Sequence, residues 1–116
     1  MFVKNISEIV HRVTTLVCAE FGVTKREILN KRHQAHLVVP RRIVMYILRK
    51  RYRLSFPVIG TFLDKDHSTV IYAVRKAEKQ VRDDPAYCDC VYALIGKLDL
   101  GEAAALSQSA FLGGGI

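Results

Sequence analysis

Four consecutive polar residues, Asp66-His67-Ser68-Thr69, have side chains that suit the reading of nucleic-acid bases. An Asp carboxylate can accept a hydrogen bond from the amine of cytosine, and a His ring can donate to guanine O6, to a purine N7 or to a phosphate. Ser and Thr hydroxyls bond to several base edges, and the Thr methyl group can contact the methyl of thymine. The same residue types are also common at helix starts, where Asp66 is only an N-cap and its neighbours only first-turn residues. The four residues alone leave both interpretations open.

The surrounding residues predict two short helices joined by a tight turn, with these four residues at the start of the second helix. Ser55 can cap the first helix, and Pro57 suits its first turn. A turn at residues 63–65 precedes the second helix, which Asp66 can cap. The inward-facing positions predicted for the two helices are Val58, Ile59 and Phe62, then Val70, Ile71, Val74, Ala77 and Val81. Two helices separated by three to four residues form a helix-turn-helix, in which the second helix enters the major groove of DNA.

Helical spacing of apolar residues recurs in the amino-terminal half, and neither a strand pattern nor a hairpin turn is present. The pattern predicts a first helix over residues 6–22 and a capping box at Thr24–Glu27 that opens a short second helix. A polar loop follows at residues 31–36. Pro40 suits the first turn of a third helix, which we expect to run to about Arg53.

The carboxyl-terminal part predicts one more helix, which begins at Pro85. After Leu100 the sequence has little charge and contains three consecutive glycines. We therefore expect an all-α fold of about six helices, organised as a helix-turn-helix domain over residues 1–99 and a flexible tail over residues 100–116.

The formal net charge of +7 is concentrated in one stretch of the chain. Residues 25–53 contain ten basic residues and one acidic residue, whereas residues 83–116 contain one basic residue and five acidic residues. A domain polarised in this way is typical of proteins that bind a polyanion, with nucleic acid as the first candidate. The alternative is a charged surface that serves only solubility.

Other function classes have little support in the sequence. The mean hydropathy is +0.12, and no apolar run is long enough for a membrane helix or a secretory signal. An odd number of cysteines, Cys18, Cys88 and Cys90, favours a reducing cytosol over a disulfide framework. No phosphate-binding loop G-x-x-x-x-G-K-[ST] occurs, and neither a metal site nor a catalytic group is indicated. We therefore expect a cytoplasmic, nucleoid-associated protein that is not an enzyme and has no cofactor, no metal and no small-molecule substrate.

Three segments together resemble the C-terminal DNA-binding domain of the bacterial replication initiator family DnaA. Ser55-Phe56-Pro57-Val58-Ile59-Gly60 and Asp66-His67-Ser68-Thr69-Val70, followed by Arg75-Lys76, are similar to the family signature S-L-P-x-I-G, D-H-[ST]-T-V and R-K. Pro40-Arg41-Arg42-Ile43-Val44-Met45-Tyr46 is similar to the P-R-Q-x-A-M-Y segment of the family. The resemblance covers about residues 5–98 and implies a helix-turn-helix domain of the Trp-repressor-like type.

The resemblance also implies roles for individual residues. It implies base contacts by Asp66, His67, Ser68 and Thr69, and phosphate or backbone contacts by Arg32, Arg41, Arg42, Arg49, Phe56, Pro57 and Lys65. The loop at Lys31-Arg32 stands where the family has its basic loop, and the resemblance implies a minor-groove contact there by Arg32 or His33, because His33 occupies the place where the family has an Arg. The turn before Asp66 is one residue shorter than the family norm and lacks the usual glycines.

The resemblance implies double-stranded DNA as the partner, bound at DnaA-box-like sites so that replication initiation or nearby transcription is regulated without ATPase activity. The expected protein is the DNA-binding domain standing alone. One alternative is an adaptor that acts on the initiator or another replication protein, using helix one and the apolar tail residues Leu106, Phe111 and Leu112. A second alternative is a helix-turn-helix transcription regulator with its own operator.

Overall fold

The computed structural model describes residues 5–114, with side chains described as far as residue 104, and this part of the chain contains helices and no strand. The all-α fold predicted from the sequence is confirmed. The six helices are α1 (Ile6–Phe21), α2 (Lys25–Leu29), α3 (Ala35–Lys50), α4 (Phe56–Leu63), α5 (His67–Asp83) and α6 (Pro85–Gly114).

The ends of the first two helices follow the local signals in the sequence. The Asn5 side chain accepts a hydrogen bond from the Ser7 amide at the start of α1, and Gly22 ends the helix in the left-handed conformation. Thr24 and Glu27 form the reciprocal capping box that was predicted for α2. Each device satisfies backbone groups that a helix end leaves without an intrahelical partner.

Helix α3 is the centre of the fold, and α1, α4, α5 and α6 all pack against it. Its inward-facing side chains are fully buried, as predicted. These side chains and the fully buried ones that surround them are Ile43, Val44, Ile47 and Leu48 from α3, Val13 and Val17 from α1, Val70 from α5 and Val91 from α6. Complete burial of one aliphatic side chain contributes about 1.5–3 kcal/mol, so this cluster is the main source of stability.

Both ends of α3 differ from the sequence-based prediction. The helix begins at Ala35, so Pro40 lies inside it as the sixth residue and not in its first turn. Proline has no N–H to donate to the carbonyl four residues earlier, but Pro40 and the preceding Leu37 are both buried. Complete burial of Leu37 offsets the missing hydrogen bond. At the other end, α3 stops at Lys50, and Arg53 adopts a left-handed conformation with φ of 57°.

The start of α6 at Pro85 is as predicted, but the helix continues through the predicted boundary between residues 99 and 100. Just past this boundary, Glu102 accepts hydrogen bonds from Arg51 at 2.9 Å and from the Tyr52 hydroxyl at 2.6 Å. Asp99 accepts a further bond from Arg51 at 2.7 Å. These contacts join α6 to the end of α3, and the extent of the domain stays a prediction. The side chains of the tail residues Leu106, Phe111 and Leu112 lie outside the described residues.

Candidate nucleic-acid interface

Helices α4 and α5 form the helix-turn-helix that the sequence predicts. The Ser55 side chain accepts from the Val58 amide at the start of α4, and Asp64 to Asp66 connect the two helices. Ile59 is fully buried, but Phe62 is 41% exposed, so the prediction that Phe62 faces the core is wrong. Gly60 and Leu63 take the inward positions instead. The apolar face of α5 packs inward through Val70, Ala73, Val74 and Ala77.

The turn between α4 and α5 depends on a glycine and on an unusual backbone conformation. A Cβ atom placed on Gly60 would lie 2.5 Å from the carbonyl oxygen of Lys65, which is closer than real Cβ contacts allow. The Lys65 amide also donates to the Gly60 carbonyl at 2.8 Å. Asp64 ends α4 in the left-handed conformation, with φ of 54°. Gly60 therefore sets the distance between α4 and the first residues of α5.

The four polar residues that begin the second helix are all exposed to solvent. The exposed side-chain fractions are 71% for Asp66 and 62% for His67, and Ser68 and Thr69 are exposed as well. Asp66 occupies the N-cap position, but its side chain makes no capping hydrogen bond and instead accepts from the Ser68 hydroxyl at 2.7 Å. The prediction that Asp66 caps α5 is right in position and wrong in contact. Its carboxylate holds the Ser68 hydroxyl on the outer side of the helix start.

Two of the predicted phosphate-binding arginines lie over aromatic rings. The Arg42 guanidinium carbon is 5.8 Å from the centre of the Tyr72 ring, and that of Arg49 is 4.3 Å from the centre of the Phe56 ring. Arg49 also donates to the Leu54 carbonyl at 3.2 Å. Stacking on a ring limits the motion of a long side chain while its charge stays accessible.

The basic loop, residues 30–34, connects α2 to α3 and carries three exposed basic residues, Lys31, Arg32 and His33. It lies beside α5, because a cleft of about 220 Å³ is lined by Arg32 and His33 on one side and by Thr69 and Tyr72 on the other. The structure therefore brings Thr69, one of the four predicted base contacts, close to Arg32 and His33, the residues predicted for the minor groove. Near the end of α3, Arg49 lies over the ring of Phe56, which directly precedes the exposed Pro57 in the first turn of α4.

Two predicted phosphate contacts, Arg41 and Lys65, are directed into the protein. Arg41 donates five hydrogen bonds, which go to carbonyl or side-chain oxygens between Glu27 and Arg32. These bonds use the N–H of Nε, both N–H groups of Nη2 and one of the two on Nη1, so one N–H of Arg41 is left for an external phosphate. Lys65 donates to the Asn30 carbonyl at 3.1 Å. Burial lowers the pKa of both groups, and the charge of Arg41 lowers that of Lys65 further.

Sequence reasoning missed Tyr72 and Asn30 as members of this site. Tyr72 is exposed on α5, three residues after Thr69, and stands between Arg42 and the Lys76 ammonium, which is 5.4 Å from the ring centre. Its spacing from Thr69 is the signal that could have placed it on the same helix face. No sequence signal marks Asn30, because its role is to accept hydrogen bonds from Arg41 and Lys65, which are distant from it in sequence.

Two further kinds of site were sought in the part of the chain that the structure describes. No group of three or more His, Cys, Asp or Glu side chains there could hold a metal ion. None of the described helices combines the length and the apolar composition needed to cross a membrane. The three cysteines are free, with Cys18 buried and Cys88 and Cys90 half-buried.

Comparison with known families agrees with this geometry. A family model described as "Bacterial dnaA protein helix-turn-helix" matches residues 10–77, more than half of the chain. The chain belongs to this DnaA family. The match includes the basic loop, α4, the turn and the start of α5, and it supports DNA binding by the helix-turn-helix.

Curated relatives of the DnaA family match the same part of the chain. Proteins named chromosomal replication initiator protein DnaA are 32% identical over 89 residues in Acholeplasma laidlawii and 34% identical over 79 residues in Mycoplasma pneumoniae. The relative in Citrifermentans bemidjiense is 38% identical over 79 residues. These matches cover 76%, 68% and 67% of this chain, respectively, but only 20%, 18% and 17% of the DnaA proteins. The chain therefore spans about a fifth of the length of the curated relatives it matches.

Proposed function

We propose that this chain binds double-stranded DNA sequence-specifically at DnaA-box-like sites and thereby regulates replication initiation or transcription near such sites. The observation that carries the proposal is the position of Asp66 to Thr69. They are exposed at the start of α5, and Thr69, the last of them, lines one cleft with Arg32 and His33 of the basic loop. A duplex whose major groove receives the start of α5 would present its backbone and adjacent minor groove to that loop.

Sequence choice would come from the start of α5. The carboxylate of Asp66, the ring of His67 and the hydroxyls of Ser68 and Thr69 offer acceptors and donors of the kinds that base edges recognise. The positive end of the α5 dipole adds attraction for a nearby phosphate. Arg32 and His33 would reach the minor groove, where a cation is attracted most strongly by a narrow A·T-rich tract.

Affinity would come mainly from contacts with phosphates. Arg32, Arg42 and Arg49 would make such contacts, and Phe56 and Pro57 at the start of α4 would lie against the DNA backbone; the exposure of Arg32 and Pro57 and the ring contacts of Arg42 and Arg49 support this assignment. The affinity should fall by about 0.9 log units per log unit of salt for each phosphate contacted. The chain carries no phosphate-binding loop, so the proposed function involves no ATP hydrolysis by residues 1–116.

Selection of bound duplexes from a random pool, followed by titration, tests the proposal. The selected site should resemble a DnaA box, and His67→Ala should weaken binding to it by about 1–3 kcal/mol with little effect on random DNA. Arg42→Ala is the matched control, because loss of a phosphate contact should weaken binding to all sequences alike. Equal loss on both duplexes for His67→Ala would show that His67 reads no base. Failure of the unmodified chain to bind either duplex at about 50–100 mM salt would favour the adaptor hypothesis.

A further inference from the structure

The oxygens of one residue, Asn30, are shared by the basic loop, helix α3 and the helix-turn-helix. The Asn30 carbonyl oxygen accepts from Arg41 Nη2 at 3.0 Å and from Lys65 Nζ at 3.1 Å. The side-chain oxygen Oδ1 accepts from the Arg32 amide at 2.9 Å and from Arg41 Nη2 at 2.9 Å. Asn30 is therefore the point at which three separate segments of the chain meet.

Arg41 joins the end of α2 to the loop that follows it. Its guanidinium donates to the Glu27 carbonyl at 2.7 Å and to the Ile28 carbonyl at 3.0 Å, both in the last turn of α2. It also donates to the Arg32 carbonyl at 2.8 Å, within the basic loop. The last carbonyls of a helix have no intrahelical partner, and a cation there is favoured by the helix dipole. One side chain from α3 thus fixes the path of the backbone from Glu27 to Arg32.

Two contacts link the same loop to the turn before α5. Lys65 in the turn donates to Asn30, and Lys31 in the loop lies 3.5 Å from the Asp64 carboxylate. The Lys31–Asp64 pair is highly exposed, so it adds little stability, but it lies alongside the Lys65 contact. The loop and the start of α5 are therefore held in one arrangement by contacts that do not involve DNA.

We propose that Arg41 and Asn30 are positioning residues that hold the basic loop at a fixed place relative to the start of α5, so that one duplex is read in both grooves at a fixed spacing. This inference rests on the proposed DNA-binding function. Arg41 acts through Arg32 and His33 and does not itself bind phosphate. A loop that was free in solution would have to be ordered during binding, and that entropic cost would weaken the minor-groove contact.

Arg41→Lys is the decisive variant, because it keeps the positive charge but cannot reach the same set of oxygens with a single ammonium group. We expect hydrogen exchange of the Arg32 amide in the free protein to become about tenfold faster. We also expect the dissociation constant for the selected duplex to rise about tenfold, because binding would then have to order roughly one more residue. Hydroxyl-radical footprints should lose protection in the minor groove. Protection of guanine N7 from methylation in the major groove should remain.

Arg26→Lys is the matched control, because Arg26 is exposed on the adjacent helix α2 and the substitution is chemically the same. It should leave both the amide exchange and the footprints unchanged. Asn30→Ala and Asn30→Asp form a second pair that does not depend on Arg41. Asp retains an oxygen at the position of Oδ1, so it should preserve slow exchange of the Arg32 amide, whereas Ala should not.

The possible results separate this inference from the function on which it rests. Unchanged amide exchange in Arg41→Lys, or an unchanged minor-groove footprint on the selected duplex, overturns the positioning role and leaves the proposed function intact. Absence of sequence-specific binding by the unmodified chain overturns the proposed function itself. Faster exchange together with selective loss of the minor-groove footprint supports the positioning role.

Discussion

Two arginines, Arg41 within α3 and Arg51 at its C-cap, hold neighbouring segments in place with different partners. Four of the five hydrogen bonds that Arg41 donates are accepted by backbone carbonyls, and the fifth is accepted by the side-chain oxygen Oδ1 of Asn30. Arg51 instead binds two carboxylates, those of Asp99 and Glu102, at 2.7 and 2.9 Å. Both side chains connect segments that are distant in sequence, but only Arg51 has its charge neutralised by its partners.

The difference shows that an arginine can stabilise a fold and either keep or lose its contribution to the electric field around the protein. Amide and carbonyl oxygens are uncharged, so the positive charge of Arg41 still contributes to the field around the basic loop. The carboxylates that neutralise Arg51 come from residues 83–116, which contain five of the eleven acidic residues of the chain. Arg41 therefore still adds to the positive charge near the basic loop, whereas the charge of Arg51 is largely cancelled by the carboxylates of α6.

The largest effect is expected from Gly60→Ala. Gly60 contacts the carbonyl of Lys65, whose side chain shares the Asn30 carbonyl with Arg41. The new methyl group would meet the Lys65 carbonyl, which is backbone and cannot rotate away, so the turn and the start of α5 must shift. We expect a loss of about 1–3 kcal/mol in the free energy of unfolding, together with weaker binding to specific DNA. Denaturant unfolding and DNA titration measure the two effects.

Gly96→Ala is the control for that substitution. Nothing lies within 4 Å of a Cβ placed on Gly96, which is in α6. The free energy of unfolding should rise by about 0.5–1 kcal/mol, because alanine is the better helix former, and DNA affinity should not change. Equal effects of the two substitutions would contradict the importance assigned to the Gly60 contact.

A paired substitution, Arg51→Gln and Arg42→Gln, tests whether arginines with and without carboxylate partners differ in their contribution to the field. Arg51→Gln should lower the free energy of unfolding by about 1 kcal/mol, because it removes bonds from a partly exposed ion pair, and should leave the salt dependence of DNA binding unchanged. Arg42→Gln should reduce that salt dependence by about 0.9 log units per log unit, with little change in stability. A change of salt dependence in Arg51→Gln would show that its carboxylate partners do not neutralise it.

Tyr87 in α6 offers a smaller test that leaves the charged surface untouched. Its hydroxyl is buried and has no hydrogen-bond partner among the described residues. Tyr87→Phe should therefore keep or raise the free energy of unfolding, by up to about 1 kcal/mol, and should not affect DNA binding. A clear loss of stability would show that the hydroxyl has a partner.

Tyr87→Phe should also change how the stability of the protein depends on pH. Burial raises the pKa of Tyr87 to about 12 from its usual 10.0. Between these values the unfolded tyrosine ionises before the folded one, so the native protein loses stability as the pH rises from 10 towards 12. The Phe variant should lose less stability over that interval, as thermal unfolding at several pH values would show.

The smallest effect is expected from Asp64→Gly. Asp64 holds a left-handed conformation that glycine adopts without strain, and its carboxylate makes only an exposed contact with Lys31. The free energy of unfolding should change by less than about 1 kcal/mol, with relief of strain opposing the loss of the ion pair. Hydrogen exchange of the Arg32 amide measures whether the Lys31–Asp64 contact contributes to the order of the loop. We expect the Arg32 amide to stay protected in Asp64→Gly, because its hydrogen bond to Asn30 is kept.

Local sequence signals predicted most of the helices and the outward position of Asp66 to Thr69. Periodic apolar residues report which side of a helix is buried, and the capping box at Thr24 and Glu27 involves residues only three apart. The prediction for Pro40 is wrong because it rests on a local signal alone. Its local preference for a first turn was overruled by the burial of Leu37, which is a property of the packed fold.

The roles of Arg41 and Lys65 could not be read from the sequence. The oxygens that Arg41 binds belong to residues 9 to 14 positions earlier, and they meet at one point only because of the path that the loop follows. An arginine in a basic segment looks the same in sequence whether it faces solvent or its own backbone. The family resemblance identified the segment correctly but did not distinguish these two orientations.

In the proposed mode of DNA binding, the shared Asn30 carbonyl would also restrict which DNA sites are bound well. Each base pair advances the duplex by about 3.4 Å and rotates it by about 35°. With the loop and α5 held together, an operator should contain two blocks of preferred bases separated by an invariant interval. Insertion of a single base pair between those blocks should cost more affinity than a single mismatch within either one.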